Sequence, residues 1–309
     1  MEGAASVMKK EPSLIVIQGP TASGKTKIAI ELAKYLNTVV ISADSRQFYR
    51  EISIGTAKPT VEEMAGVTHY FIDSHTLEDE VSAACFATEA RELILKELSH
   101  LEYILIVGGS GLFIQALCEG LDAIPQDLNL QNQLTEEWKS NGLTAFLEEL
   151  KNKDPDYFQL IDKENPLRVI RAIEAIRLSG KTLTELRSGN AKTGFDTVFY
   201  FTTDLPREEL YKRINDRVDH MLELGLENEA RSVFKLKHLK SLQTVGYREL
   251  FDFFDGKISR ESAIDLIKQH SRNYAKRQIT WFKSHNQGTL ISKEVDFLNL
   301  VKNKINLTN

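Results

Sequence analysis

Two hydrophobic periods alternate along the first 120 residues of the chain. Short runs of apolar, often β-branched residues are typical of buried strands, and apolar residues spaced by three or four positions predict amphipathic helices. The predicted strands are Leu14–Ile17, Thr38–Ser42, His69–Asp73 and Tyr103–Val107. The predicted helices between them are Lys27–Leu36 and Ser82–Leu98. Strands that alternate with helices favour a parallel sheet covered by helices on both faces.

The pattern changes at about Leu121. From there to Gly194 no segment has strand character, and the predicted helices are Leu130–Ser140, Leu143–Lys153, Pro166–Ser179 and Leu183–Arg187. Two strands are predicted after this stretch, Thr197–Phe201 and Thr289–Ile291. The helices predicted between them are Arg207–Leu224, Glu227–Lys237, Gly246–Phe254 and Arg260–Lys283. We therefore predict an α/β core, residues 11–120 and 196–309, interrupted by an all-helical insertion, residues 121–195.

Composition narrows the class of protein without pointing to a function. The 309 residues are 42% hydrophobic and 27% charged, which is ordinary for a soluble globular protein. No apolar run reaches membrane-spanning length, and the polar residues before Glu11, to which we assign no role, lack the hydrophobic part of a signal peptide. Cys85 and Cys118 lack metal-binding spacing. We expect a cytoplasmic monomer that binds no membrane. Because the net charge is −5, any nucleic-acid site must be a local basic patch.

A complete phosphate-binding loop (P-loop), GPTASGKT, stands between the first predicted strand and the first predicted helix. This arrangement directs backbone N–H groups and the positive end of a helix at one anion. Lys25 adds a positive charge, and the Thr26 hydroxyl is placed to bind Mg²⁺, partly through water. By itself the loop suggests ATP or another nucleotide. The predicted diphosphate-binding residues are Gly19, Pro20, Thr21, Ala22, Ser23, Gly24, Lys25 and Thr26.

Two further segments follow predicted strands and so belong at the same edge of the sheet. Asp44 comes directly after the second strand, where a carboxylate serves as a general base, holds Mg²⁺ with its water shell, or caps a helix. Gly108–Gly111 (GGSG) ends another strand. Its glycines allow close approach to a ligand, and Ser110 either donates to a phosphate or carboxylate or caps the next helix.

Basic residues are concentrated in two of the later helices. Arg213 and Arg217 are one helical turn apart and reach either a phosphate or neighbouring carboxylates. The segment from Lys268 to Lys283 carries no Asp or Glu, and its aromatic residues are interleaved with Arg and Lys. Such a helix suits a phosphate backbone, but a run of charges is more commonly a solvated face whose other side lies in the core.

Taken together, these segments resemble the bacterial tRNA dimethylallyltransferases (tRNA isopentenyltransferases), and the resemblance covers most of the chain. The segments that carry it are, in order, GPTASGKT at 19–26, SADSRQ at 42–47, GTAKP at 55–59, HYFID at 69–73, GGSGL at 108–112, NPLRVIRAIE at 165–174, KRINDRV at 212–218, VGYRE at 245–249 and AKRQITWF at 275–282. Their order and spacing are more specific than any one of them except the loop.

The resemblance implies transfer of a prenyl group. The donor would be dimethylallyl diphosphate, and the acceptor N6 of the adenosine 3′-adjacent to the anticodon, position 37, in tRNAs that read codons beginning with U. The P-loop would hold the leaving diphosphate, and the helical insertion would bind the anticodon stem-loop. The target base must be flipped out of its stack to react.

The resemblance also assigns roles to residues. Asp44 would be the general base, Lys25 and Arg217 would stabilise the leaving diphosphate with Mg²⁺, and Ser110, where the family usually has Thr, would support the diphosphate or orient Asp44. The residues that match tRNA-contacting segments, or lie on the basic helix, are Asp44, Ser45, Arg46, Gln47, Leu167, Arg168, Val169, Ile170, Arg171, Gly246, Tyr247, Arg248, Arg272, Lys276 and Arg277.

The sequence also departs from the family, and other functions share some of its features. Asn132 lies where family members often carry Arg, and Val81 where an aromatic residue is common. The zinc-finger tail of eukaryotic relatives is absent from this sequence. The alternatives are a P-loop kinase of small molecules or nucleotides, a prenyltransferase acting on free adenine nucleotides, and a non-enzymatic RNA-binding regulator.

Overall fold

The structure is a computed structural model that describes residues 11–187, 195–285, 288–292 and 297–306. The lead-in before Glu11 and the segment 188–194, which leads to the predicted end of the insertion, lie outside the described residues. The chain divides into two compact units, Met1–Cys118 with Phe195–Asn309, and Glu119–Gly194. We refer to them as the core unit and the helical unit.

The first part of the core unit has the predicted alternation of strands and helices. Its elements are β1 (Ser13–Gln18), α1 (Lys25–Leu36), β2 (Val40–Ser42), α2 (Val61–Met64), β3 (His69–Tyr70), α3 (Ala83–Lys96), β4 (Tyr103–Gly108) and α4 (Gly111–Cys118). The third strand is shorter than predicted, since Phe71 (φ 62°) and Asp73 (φ 53°) adopt left-handed conformations that end it after Tyr70. Helices α2 and α4 were not predicted.

The helical unit contains helices only within its described residues 119–187. They are α5 (Leu128–Asn141), α6 (Thr144–Lys153), α7 (Pro155–Leu160), α8 (Pro166–Ser179) and α9 (Leu183–Leu186). Local sequence sets the ends of α8: the Asn165 side chain accepts from the backbone N–H of Arg168, Pro166 opens the helix, and Gly180 (φ 68°) closes it. These helices share a core that includes Leu134, Phe146, Leu150 and Ile173.

The core unit then continues with β5 (Val198–Thr203), α10 (Arg207–Glu223), α11 (Leu226–Ser232), α12 (Tyr247–Phe254), α13 (Arg260–Ser284), β6 (Thr289–Ile291) and α14 (Phe297–Asn306). Two 3₁₀ turns, Phe234–Leu236 and Lys240–Leu242, precede α12. The helix predicted to run to Lys237 ends at Ser232, because Val233 (φ −101°, ψ 4°) leaves the helical conformation. The last helix was not predicted.

All six strands form one parallel sheet in the order β3-β2-β4-β1-β5-β6. Alternate residues of β1 face opposite sides: Leu14 and Val16 pack with α3 and α4, and Ile15 and Ile17 with α1 and α14. The sheet is thus covered on both faces, as the sequence predicted. Within the described residues, no helix is long and apolar enough to cross a membrane.

Candidate active site

The four neighbouring strands β2, β4, β1 and β5 end at one edge of the sheet, where the predicted site residues lie. The phosphate loop follows β1, Asp44 follows β2, and Gly109 and Ser110 follow β4. Thr203 is the last residue of β5. Because parallel strands end at the same edge, residues distant in sequence come together there.

The phosphate loop is held in a shape that requires glycine at its start. Gly19 has φ 148°, and a Cβ at this position would lie 2.0 Å from the Thr203 hydroxyl oxygen. Ser23 Oγ donates to the Pro20 carbonyl at 2.8 Å and lies 2.6 Å from the Thr203 hydroxyl. Gly24 (φ 88°) turns the chain into α1. The N-terminal end of α1 therefore faces the space enclosed by the loop, as an anion site requires.

Lys25 has a pKa close to neutral pH, so its protonation state is sensitive to its surroundings. Its Nζ donates to the Pro20 carbonyl at 2.7 Å. Burial and the nearby Arg217 lower the pKa of Lys25 to about 7, while Asp44 opposes this shift. The ammonium form is thus disfavoured until a negative charge enters the site.

We predict that a bound diphosphate raises the pKa of Lys25 again, so that the protein takes up protons on binding inorganic pyrophosphate at about pH 8. Below a pH of about 7, Lys25 is already protonated, and its share of the uptake disappears. Titration calorimetry in buffers of different ionisation enthalpy measures the uptake. The Lys25→Arg variant carries a permanent charge and reports the protons exchanged by other groups. Equal uptake by both proteins would contradict the role given to Lys25.

Asp44 combines a structural and an electrostatic role. Its Oδ1 accepts from the backbone N–H of Arg46 at 3.1 Å, and its backbone carbonyl accepts from the backbone N–H of Gln47 at 3.2 Å. Asp44 thus shapes the turn after β2, but the helix-capping alternative is wrong, because residues 45–48 form a turn and not a helix. Burial raises the pKa of the Asp44 carboxyl, and the charges of Lys25, Arg46 and Arg217 act against this rise. A carboxylate that holds a proton more readily than usual is suited to accept one.

Ser110 supports the turn that follows Asp44. Its Oγ accepts from the backbone N–H of Ser45 at 3.0 Å and donates to the Ser45 hydroxyl at 3.2 Å. Tyr274 also lies close to Ser110, and burial together with the Asp44 charge raises the pKa of Tyr274 to about 12. The sequence interpretation did not assign Tyr274 to the site. Its position among the aromatic residues of the basic helix was the available signal.

Of Arg213 and Arg217 on α10, Arg217 has the direct hydrogen bond to the phosphate loop. Its Nη1 donates to the Thr21 hydroxyl at 3.2 Å. Burial lowers the pKa of Arg217, and the charge of Asp44 opposes this effect. Arg213 pairs with Glu209 at 2.8 Å, so part of its charge is already balanced. The structure thus brings Lys25, Asp44 and Arg217 into one electrostatic cluster.

The donor set of the phosphate loop fits a metal ion that arrives with a phosphate. No group of three or more His, Cys, Asp or Glu residues in the described ranges is placed to hold a metal ion. Thr26 lies exposed in the first turn of α1, so its hydroxyl is accessible. Mg²⁺ ordinarily keeps several waters and binds few protein ligands beside substrate phosphates. One hydroxyl beside a bound diphosphate meets that requirement.

Arg46 and Gln47 are held by backbone groups beside Asp44. Arg46 Nη1 donates to the carbonyls of Lys240 and Ser241 at 3.3 and 3.0 Å. Gln47 Nε2 donates to the carbonyls of Thr56 and Ala57 at 3.4 and 3.3 Å. Its Oε1 accepts from the Ser42 hydroxyl. These side chains therefore have fixed positions, and their predicted contact with RNA stays a prediction.

Four of the residues predicted to contact RNA lie in the interior of the protein. For these four, direct contact with RNA is corrected to a structural role. Tyr247 is fully buried, and its hydroxyl donates to Glu229 at 2.5 Å. Gly246 is buried beside it. Val169 and Ile170 face the core of the helical unit. Alternating burial along these segments separates them from Leu167, Arg168 and Arg248, which are exposed.

The exposed side of α8 borders a cavity of about 290 Å³ within the helical unit. Leu167, Arg168 and Arg187 are among its lining residues. Arg171 also borders it, but its guanidinium already donates to the Pro125 carbonyl and pairs with buried Glu174, both at 2.7 Å. Arg171 thus acts on the fold of this unit, whereas Arg168 and Arg187 present charge to the surface.

The basic residues of α13 divide into two sets. Lys268 pairs with Asp219 at 2.6 Å, and Arg272 Nη1 donates to Asn215 Oδ1 at 2.6 Å, so both are engaged with α10. Lys276 and Arg277 are exposed. The solvated-face alternative thus describes one side of this helix, while the exposed pair remains available for a phosphate backbone.

We predict that Lys276→Ala and Arg277→Ala each weaken RNA binding and reduce the slope of log K against log salt by about one for each phosphate that the variant no longer neutralises. Titration of an anticodon stem-loop at several salt concentrations measures this slope. Lys34→Ala, an exposed lysine near the other end of α1, is the matched control. Unchanged slopes for both α13 variants would show that Lys276 and Arg277 do not contact phosphates and belong to a solvated helix face.

Comparison with protein families and sequences gives a consistent result. Residues 47–285 match the profile of the family described as IPP transferase. The chain is 47% identical over 270 residues to the tRNA dimethylallyltransferase of Cytophaga hutchinsonii. The aligned region covers 87% of this chain and 89% of that protein. The chain is 42% identical over 273 residues to tRNA dimethylallyltransferase 1 of Bacteroides thetaiotaomicron, covering 88% and 89%.

Solved structures agree with these sequence matches. The full-length tRNA isopentenylpyrophosphate transferase from Bacillus halodurans superposes with a TM-score of 0.69 at 38% identity, covering 97% of this chain and 96% of that one. A eukaryotic dimethylallyltransferase acting on tRNA superposes with a TM-score of 0.75 at 25% identity, covering 91% and 74%. The predicted fold class is confirmed by this likeness.

Proposed function

The chain belongs to the IPP transferase family and acts as a tRNA dimethylallyltransferase, and we propose how its residues carry out that reaction. The donor is dimethylallyl diphosphate, and the acceptor is N6 of the adenosine at position 37, next to the anticodon of tRNAs that read codons beginning with U. The bond between the allylic carbon and the diphosphate oxygen breaks, and a bond from that carbon to N6 forms. Diphosphate leaves.

The phosphate loop and its cations hold the leaving group in this proposal. Backbone N–H groups of the loop, the start of α1, Lys25 and Arg217 surround the position where negative charge grows. Mg²⁺ held by the Thr26 hydroxyl and by water would neutralise further charge on the diphosphate. Because the pKa of Lys25 is lowered in the free protein, the negative charge of the bound diphosphate favours protonation of Lys25. The ammonium group that results then stabilises the diphosphate.

Asp44 acts on the acceptor. The adenine N6 amine is a weak nucleophile and loses a proton as it attacks, and the Asp44 carboxylate accepts that proton. Ser110 keeps the base in place through its two hydrogen bonds to Ser45. The adenine reaches Asp44 only after it is flipped out of the stacked anticodon loop.

The acceptor RNA is proposed to contact exposed basic groups of both units. On the core unit these are Lys276, Arg277 and Arg248. On the helical unit they are Arg168 and Arg187, beside the exposed Leu167. Since the whole protein carries a net charge of −5, these groups form local patches and not a basic surface overall.

We further propose that the protein is a cytoplasmic monomer.

One observation carries this assignment: the Asp44 carboxyl lies within electrostatic reach of Lys25 in the phosphate loop and of Arg217 on α10, which donates to Thr21 of the same loop. A panel of donors and acceptors tests it. We expect diphosphate release only with dimethylallyl diphosphate and an anticodon stem-loop present together. Phosphorylated product formed from ATP would support a kinase, and prenylation of AMP but not of the stem-loop would support a small-molecule prenyltransferase. RNA binding without any turnover would support a regulator.

A further inference from the structure

Gln278 joins two loops of the active site that lie on neighbouring strands. It is on α13 and is 6% exposed. Its Oε1 accepts from the backbone N–H of Thr21 in the phosphate loop at 2.9 Å, and its Nε2 donates to the Gly109 carbonyl at 3.0 Å. One amide therefore spans the loops that follow β1 and β4.

We propose that Gln278 is a positioning residue that sets the distance between the leaving diphosphate and the base Asp44. The proposal rests on the proposed prenyl transfer. On one side, Gln278 fixes the phosphate loop through Thr21, whose hydroxyl also accepts from Arg217. On the other side, it fixes Gly109, next to the Ser110 that supports the turn after Asp44.

The chemistry of the two partners admits only a side chain that both accepts and donates. The Thr21 N–H can only donate, and the Gly109 carbonyl can only accept. The approach to Gly109 is also close, since a Cβ at this position would lie 2.2 Å from Gln278 Nε2. Methionine has a similar length and neither group, and an ionised glutamate accepts but does not donate. The amide is thus specified by its surroundings.

The same helix joins this amide to the surface proposed for RNA. Lys276 and Arg277 are exposed on α13, whereas Ala275, Gln278 and Phe282 are buried. Tyr274, on the preceding turn, lies close to Ser110. A helix that contacts the acceptor on one side therefore touches both loops of the reaction site on the other. Small errors in the separation of reacting groups lower rates steeply, by as much as about 10²-fold for a displacement of about 1 Å.

The test compares Gln278→Met and Gln278→Glu with Gln269→Met. Gln269 is an exposed glutamine on the same helix, so it controls for the substitution itself. We expect Gln278→Met to lower kcat by about 10- to 100-fold with an unchanged KM for the stem-loop, because the RNA-facing side chains remain. Gln269→Met should match the unsubstituted protein. Thermal unfolding shows whether each variant is folded.

The Gln278→Glu variant gives a readout that a purely structural role would not produce. Burial raises the pKa of a carboxyl at this position, and its protonated form can both accept from Thr21 and donate to Gly109. Its kcat relative to that of the unsubstituted protein should therefore increase as the pH falls. A ratio that does not change with pH, or an unchanged kcat in a folded Gln278→Met variant, would overturn the proposal.

A binding measurement separates this inference from the proposed function. If the unsubstituted protein formed no prenylated product, the proposed function would fail. Inorganic pyrophosphate binding would then still report on Gln278, through the phosphate loop alone. We expect weaker pyrophosphate binding in folded Gln278→Met, with partial recovery in Gln278→Glu as the pH falls. Equal affinities in all three proteins would count against the positioning role.

Discussion

Replacing Asp44 with Asn lowers the single-turnover rate of prenyl transfer by about 10²- to 10⁴-fold, the usual contribution of a positioned general base. An asparagine amide cannot accept the N6 proton at neutral pH. Its side-chain oxygen can still accept from the backbone N–H of Arg46, so the turn after β2 is retained. Rapid mixing of a preformed complex of protein and stem-loop with dimethylallyl diphosphate measures this rate.

RNA binding by Asp44→Asn should be unchanged, because the exposed basic groups of α13 and α8 are intact. The pH profile adds a second requirement. Burial raises the pKa of Asp44, so the rate should fall with decreasing pH in a range above that of an ordinary aspartate, as the base becomes protonated. Weakened RNA binding with an unchanged single-turnover rate would refute the role of Asp44 as base.

Replacing Lys25 with Met has the second large effect that we expect, a decrease in kcat of about 10²- to 10³-fold. This is the range found when one preorganised group that stabilises transition-state charge is removed. In the proposed reaction the Lys25 ammonium stabilises the charge that develops on the departing diphosphate, and Arg217 remains as the neighbouring cation. Product formation at saturating donor and acceptor measures the effect.

Lys27→Met provides the matched control for Lys25→Met. Lys27 lies on the exposed surface of α1, two residues further along the same helix. Its substitution removes the same charge from the protein and should leave kcat unchanged. If both variants lost activity equally, the effect would come from overall charge, and the role assigned to Lys25 would be wrong.

Local sequence was sufficient for most of the core unit. The runs around Leu14 and Tyr103 are continuous and apolar because β1 and β4 are buried on both faces, and such runs are read directly as strands. Helix α8 carries its own start and stop residues and was predicted with its observed bounds. The loop 19–26 has a backbone shape that requires the glycines present in its sequence.

Other parts of the fold depend on packing that a local pattern does not contain. Helix α14 forms where Val301 and Ile305 cover one face of the sheet, against strands that are far away in sequence. The third strand ends early because Phe71 and Asp73 adopt left-handed conformations, which are uncommon for residues other than glycine and which an apolar run does not predict. Tertiary packing and backbone conformation decided these elements.

The candidate site shows the same division. Asp44 and Ser110 were found because they directly follow strands, so their position in sequence gives their position in space. Tyr274 and Gln278 reach the site from α13, which lies far along the chain from the phosphate loop, and a helical pattern does not say which neighbour a buried polar residue meets. Tyr247 is likewise buried by packing in the core, where its hydroxyl donates to Glu229, and its own motif does not reveal these neighbours.

The phosphate loop should hold the leaving diphosphate of a prenyl donor, and one measurement tests this most directly. The protein is incubated with dimethylallyl diphosphate and unmodified tRNA, and the digested nucleosides are analysed by mass spectrometry. We expect adenosine that carries a dimethylallyl group on N6, located next to the anticodon, with release of one diphosphate for each group transferred. Unmodified adenosine in every tRNA, with turnover of ATP instead, would contradict the assignment.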